Sequence, residues 1–203
     1  MPGLYFHITA VDNVQLAFAH RTAGTLLHII NDTRFQELVQ NGNYTGRRFR
    51  LDGSPARYIQ ANNTRILNQI LTGKEWNVPA DGNVNLKLTL GPTNPGAIGY
   101  VRPPSPLITT NPAFYNRCMN NNSPVSLAAH WMHEWMHVSG FRHRRGGAVD
   151  RNDVPYKIGS FVVQVARAQA AVENHPQAYI NAIGQEYLDA YKEQFDCVEE
   201  GQK

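Results

Sequence analysis

The stretch His133-Glu134-Trp135-Met136-His137-Val138-Ser139-Gly140-Phe141-Arg142-His143 decides how the rest of the chain is read. On a helix His133 and His137 stand four residues apart, so they share a face, with Cβ atoms roughly 5–6 Å apart. That spacing lets two imidazoles bind one metal ion at about 2.0–2.1 Å. Glu134 follows the first histidine directly, so its carboxylate can approach a metal-bound water without occupying the metal. Gly140 lets the chain leave the helix by a left-handed turn, which brings His143 to the side from which a third nitrogen reaches the ion. Three protein ligands leave a fourth position for water, the mark of a catalytic zinc and not of a structural one. The expected ligands of a Zn2+ ion are therefore His133, His137 and His143, with Glu134 as general base. Two alternatives keep the first two histidines. A carboxylate, Glu173 or Asp150 or Asp153, can serve as the third ligand, or the site can bind metal or peptide without catalysis. His7, His20, His28, His130 and His175 have no comparable context and read as surface or core residues, although His130 lies one turn before Glu134.

Working outward, Ser123-Pro124 is a helix start, with Ser as N-cap and Pro at the first helical position. It predicts a helix from Pro124 to about Ser139, ended by Gly140. Ser54-Pro55 repeats the signature and, with Ile59, Ile66 and Ile70 near helical spacing, predicts a helix over 55–72. Leu4 to Ala10 reads as a first strand and Thr33 to Gln40 as a short helix. The apolar stretch Gln15 to Ile30 shows no clear period. Val84 to Leu90 alternates apolar and polar residues, as a half-buried strand does. Two short extended pieces follow, Ala97 to Arg102 and Leu107 to Thr110. Pro103, Pro104 and Pro106 separate them, and proline in such a region points to a sheet edge. Past His143, residues 141–159 read as a loop. Ser160 to about Asn174 reads as a helix and Gln177 to Phe195 as another, with Tyr179, Tyr187 and Tyr191 as packing groups.

A chain of 203 residues with 42% hydrophobic and 17% charged residues can bury a full core. It fits one domain, or one domain cut by a cleft. No apolar run approaches the length of a membrane span. The formal charge of +3 is spread over small clusters, Arg47, Arg48 and Arg50, then Arg142, Arg144 and Arg145. These read as solvated surface, so no nucleic-acid partner is expected. The second cluster flanks the proposed site and can bias substrate choice toward acidic groups. Cys118 and Cys197 form no CxxC pair, so a cysteine zinc site is not expected. A single disulfide and two buried thiols both remain open. Met1 to Ala10 lacks the basic and apolar regions of a signal peptide.

The eleven-residue segment resembles the metzincin zinc peptidases, whose signature is HExxHxxGxxH, and the Gly140-Phe141-x-His143 ending is most similar to the astacin branch. The resemblance implies an α+β domain of two lobes filling residues 1–203. The upper lobe, to about residue 140, would hold a small mixed sheet with a backing helix and the active-site helix. The lower lobe, 141–203, would hold irregular chain and C-terminal helices. It implies a secreted endopeptidase that binds a protein or peptide substrate along an edge strand, here Ala97–Arg102 or Leu107–Thr110. The family's methionine turn has no counterpart, since no Met follows Met136. Asp153-Val154-Pro155-Tyr156 is the expected substitute turn, with the Tyr156 hydroxyl as a second catalytic group that stabilises the transition state.

Overall fold

The computed structural model describes residues 1–53, 57–143 and 150–193. The N-terminal strand β1 (Gly3–Thr9) leads into helices α1 (Asn13–Ile30) and α2 (Thr33–Asn41). The small strands β2 (Arg48–Arg50) and β3 (Tyr58–Gln60) precede α3 (Asn63–Thr72). Strands β4 (Asn83–Leu90), β5 (Gly99–Val101) and β6 (Leu107–Thr110) follow, then α4 (Pro112–Asn120) and α5 (Pro124–Val138). The chain closes with α6 (Val154–Val172), α7 (Gln177–Ala182) and α8 (Gln185–Glu193). The fold is α+β, and no helix among the described residues is long and apolar enough to cross a membrane.

The main sheet has the order β1-β4-β6-β5. The first three strands run parallel and β5 lies antiparallel on the edge. Strand alternation sets the two faces. Ile8, Val84, Leu86, Leu88 and Ile108 are buried, while Tyr5, His7 and Lys87 on the opposite face are exposed. The buried face receives α5, whose Trp131 and Trp135 are completely enclosed. Burying an aromatic side chain of this size stabilises by roughly 2–3 kcal/mol or more, so α5 is anchored through its centre. Helix α6 packs along the other side of α5, and residues from both sides of Gly140 share one core cluster.

Several elements depart from the sequence reading. The helix expected over 55–72 is strand β3 followed by α3, which starts at the N-cap Asn62, whose side chain accepts from the Arg65 N–H. The Ser54-Pro55 start lies outside the described residues. The unassigned stretch is α1, begun by a reciprocal capping box between Asp12 and Gln15. Its buried face mixes Ala19, Thr22 and Ala23 with Phe18 and Leu26, which dilutes the apolar period. Helix α4 went unread, although Asn111 caps it and Pro112 occupies its first turn. The tract 177–195 is two helices, interrupted at Gly184, where φ is 72°. Phe195 and Cys197 lie outside the described residues, and Cys118 is buried on α4.

Candidate metal centre

Helix α5 carries His133 and His137 on one face, and its end is built to deliver the third histidine. Gly140 has φ 110°. Its N–H donates to the His137 carbonyl at 3.1 Å, and the Phe141 N–H donates to the Met136 carbonyl at 2.9 Å. This pair of bonds is the Schellman closure of a helix. Arg142 adds its guanidinium to the carbonyls of His137 (2.9 Å) and Phe141 (3.1 Å). A cation is favourable at a helix C-terminus. Arg142 is thereby buried, not the solvated residue expected from its charge cluster; Arg144 and Arg145 lie outside the described residues.

Beyond Gly140 the chain runs antiparallel to β2, with Phe49 and Phe141 in a β-bridge. The Arg50 N–H donates to the Gly140 carbonyl and the Arg142 N–H to the Arg48 carbonyl, both at 2.9 Å. The segment just before β2 holds the other wall. Gly46 bridges Asp153, and Thr45 N–H donates to the Asn152 carbonyl at 3.0 Å. Residues 45–50 therefore tie the segment bearing His143 to the start of α6.

Ring nitrogens of His133, His137 and His143 all lie within 4.8 Å of one another, the sole such group of three or more potential ligands among the described residues. The hydrogen bonds assign the tautomers. The Phe141 carbonyl, 2.9 Å from His137 Nδ1, can only accept, so Nδ1 carries the proton. The Asp153 carboxylate likewise accepts from His143 Nδ1 at 2.8 Å. The two Nε2 atoms face each other at 3.1 Å, an approach that a shared proton satisfies when His143 is charged beside Asp153 and that a metal ion satisfies when both rings are neutral. Tetrahedral zinc with bonds of about 2.0–2.1 Å would set its ligand nitrogens about 3.3–3.4 Å apart, close to the 3.1 Å between His137 and His143, so the three histidines could hold a metal ion. His133 Nδ1 is buried and has no hydrogen-bond partner among the described residues. Burial, followed by the neighbouring imidazoles, holds His133 well below the usual histidine range. Burial, then His143 and Arg142, does the same for His137. Both are neutral near pH 7, the form that ligates metal.

The carboxylates weighed as third ligands lie elsewhere. Asp153 accepts from the back of His143, Asp150 accepts from the Thr45 hydroxyl at 2.6 Å, and Glu173 is an exposed residue bonded to His175. Val154-Pro155-Tyr156 is not a turn but the first turn of α6, with Asp153 as N-cap. Proline fits there because the first helical N–H groups have no intrahelical partner anyway. Tyr156 is nonetheless beside the site. Its ring stacks on His143 at 4.7 Å and meets His133 edge-on at 4.6 Å. Glu134 is 4% exposed, with Oε1 3.8 Å from His130 Nδ1.

Three residues of this neighbourhood escaped the sequence reading. Asp153 holds the Nδ1 side of His143 and is not in the three-histidine group, and its N-cap position before Pro155 was the available signal. His130 is fully buried, its Nε2 3.4 Å from the Thr110 hydroxyl and its Nδ1 3.4 Å from the Tyr191 hydroxyl. Tyr191 stacks on His133 at 4.9 Å; nothing in its local sequence marks that. No protein-family model, no curated protein and no solved structure matches this chain.

Proposed function

We propose that the chain is a zinc-dependent endopeptidase of the metzincin kind, with His133, His137 and His143 as metal ligands. The observation that carries this reading is the convergence of three imidazoles, two of them with Nε2 atoms turned toward each other and each held at Nδ1 by an acceptor. Zinc bound there would supply a Lewis acid that polarises the scissile carbonyl and brings the pKa of a bound water to about 7.

The chain's own residues supply the rest. Glu134, next to a ligand and not itself one, takes the proton of the attacking water and passes it to the leaving amine. Tyr156, packed on two ligand rings, donates a hydrogen bond to the developing oxyanion. Asp153 holds His143 in the ligating tautomer, as carboxylates behind metal-bound histidines do. Strand β5 is the edge of the main sheet, whereas β6 pairs on both sides, so of the two candidate strands only β5 has an edge for a substrate peptide to extend. A peptide or protein substrate bound this way needs neither nucleic acid nor membrane.

The test is hydrolysis of a generic protein substrate by the zinc-loaded protein, with and without a chelator. Cleavage that the chelator abolishes is expected, together with a Glu134→Gln variant that keeps its zinc and loses orders of magnitude in rate. Zinc-loaded parent protein that cleaves no member of a diverse peptide library would leave a metal-binding module instead.

A further inference from the structure

Helix α8 lies against α5 beside the first ligand, and its side chains take up the ground around it. Tyr191 stacks on the His133 ring at 4.9 Å with an interplanar angle of 20°, and meets Tyr156 edge-on at 5.0 Å. One turn earlier Tyr187 is buried against α6, where Gly159 makes room for it. A Cβ on Gly159 would stand 1.9 Å from the Tyr187 hydroxyl oxygen. With both tyrosines in place His133 is 2%, Tyr156 3% and Glu134 4% exposed. A scissile carbonyl must come within about 3–3.5 Å of its attacking group. A general base this enclosed is out of reach of an extended peptide lying along β5, and Tyr191 of α8 is one of the groups packed on the rings beside it.

Helix α8 is attached through Tyr187, Ala190 and Tyr191, which are buried in the core, and through polar bonds at its N-terminal end, where Arg167 of α6 also donates to Gln185. Glu186 accepts from the hydroxyls of Ser123 (2.7 Å) and Ser126 (2.8 Å) and from the Asn121 amide (3.1 Å). These donors sit at the start of α5, where a carboxylate is favoured by the helix dipole and where Ser123 itself provides no side-chain cap. The three bonds hold the Glu186 carboxyl below its ordinary range against the opposing effect of burial. The chain enters α8 through Gly184, in the left-handed region and packed on Val163 of α6, after α7, which buries no side chain. The buried Tyr187 hydroxyl has no hydrogen-bond partner among the described residues, a cost that falls on the docked arrangement alone.

We propose that α8 is an intramolecular latch over the metal site, fastened to α5 by Glu186 and pivoting at Gly184, which must swing aside before a peptide can reach Glu134. The proposal rests on the peptidase reading for its purpose, but its mechanics can be measured without turnover. Glu186→Ala removes the fastening without touching the site. Losing charge-assisted hydrogen bonds corresponds to about a tenfold or greater shift in the opening equilibrium. Zinc withdrawal by excess EDTA should therefore speed up about tenfold, and peptide hydrolysis should rise in parallel. In the parent protein the amides of 187–191 should exchange with deuterium faster than those of α5 and α6, and faster still in Glu186→Ala. Equal zinc-release rates in parent and folded Glu186→Ala would overturn the latch. So would parent α8 amides as protected as those of α5, a result that needs no variant to fold. If the release rates differ while neither protein cleaves peptide, the latch stands and the peptidase reading falls.

Discussion

Asp153 shows how much one buried carboxylate can do. One oxygen caps the start of α6 and the other accepts from His143 Nδ1. Asp153→Asn keeps a capping side chain but removes the charge behind the imidazole. It is expected to lower zinc affinity about 10- to 100-fold with little change in folding, as measured by competition with a chromophoric chelator and by thermal melting. Unchanged affinity would show that His143 needs no orienting partner. Tyr156 belongs to the same scale. Tyr156→Phe keeps the ring on His133 and His143 and removes only the hydroxyl, so kcat should fall roughly 10- to 100-fold while KM and zinc content hold. A full-rate Tyr156→Phe enzyme would reduce Tyr156 to a packing group. His133, Glu134 and His137 were legible in sequence because helical spacing alone places them, whereas His143 also depends on the turn at Gly140 and on β2. Asp153 was visible as a rival ligand and as part of an expected turn but not as the partner of His143, ten residues away in sequence.

At the scale of elements, the exit from α5 controls where His143 stands. Gly140 has a left-handed backbone that side chains rarely adopt, and a Cβ there would meet the Arg50 carbonyl oxygen at 3.1 Å and Phe49 Cε2 at 3.2 Å. Gly140→Ala should therefore cost about 1–3 kcal/mol of stability and push Phe141 away from β2. The variant should melt lower in denaturant titrations and bind zinc more weakly; wild-type stability would mean that the turn relaxes without strain. Helices α5 and α2 and strands β4 and β6 followed from local pattern written in consecutive residues, although Ser123 makes no side-chain cap on α5 and Pro124 alone marks its start. The start of α6 was misread as a turn. Pro155 after Asp153 is compatible with either, and in the fold Asp153 pairs with Gly46 in a parallel bridge where the helix begins.

For the molecule as a whole, packing α5 between the sheet, α6 and α8 sequesters titratable groups. Burial pushes His130 down to about 3, and His133 and His137 also lie well below the ordinary value. In the unfolded chain these histidines take up protons as pH falls through about 6.5, while the folded protein does not. The unfolded state then binds more protons, so stability falls with decreasing pH, by up to about 1.4 kcal/mol per pH unit for each such histidine. Asp32, held low chiefly by Arg34, adds loss of the same sign only below the ordinary carboxylate range. Metal-free protein should accordingly show a steep drop in Tm between pH 7 and 5. A flat profile over that interval would mean the buried histidines are charged in the folded state.

What the sequence determined by itself is the chemistry available at one place. An i, i+4 histidine pair, a glutamate beside the first, a helix-ending glycine and a third histidine are all within eleven residues, and helix geometry suffices to bring most of them together. What only the tertiary structure decided is everything that meets this segment from a distance. Strand β2 holds His143 in reach, Asp153 selects its tautomer, β5 and not β6 takes the free edge, and α8 lays Tyr191 on His133 from 58 residues away. The physical reason is the range of the forces. Caps, periods and spacing act through neighbouring dihedral angles and can be read along the chain. Side-chain contact and burial depend on which surfaces the packed core brings together, and no local pattern records that.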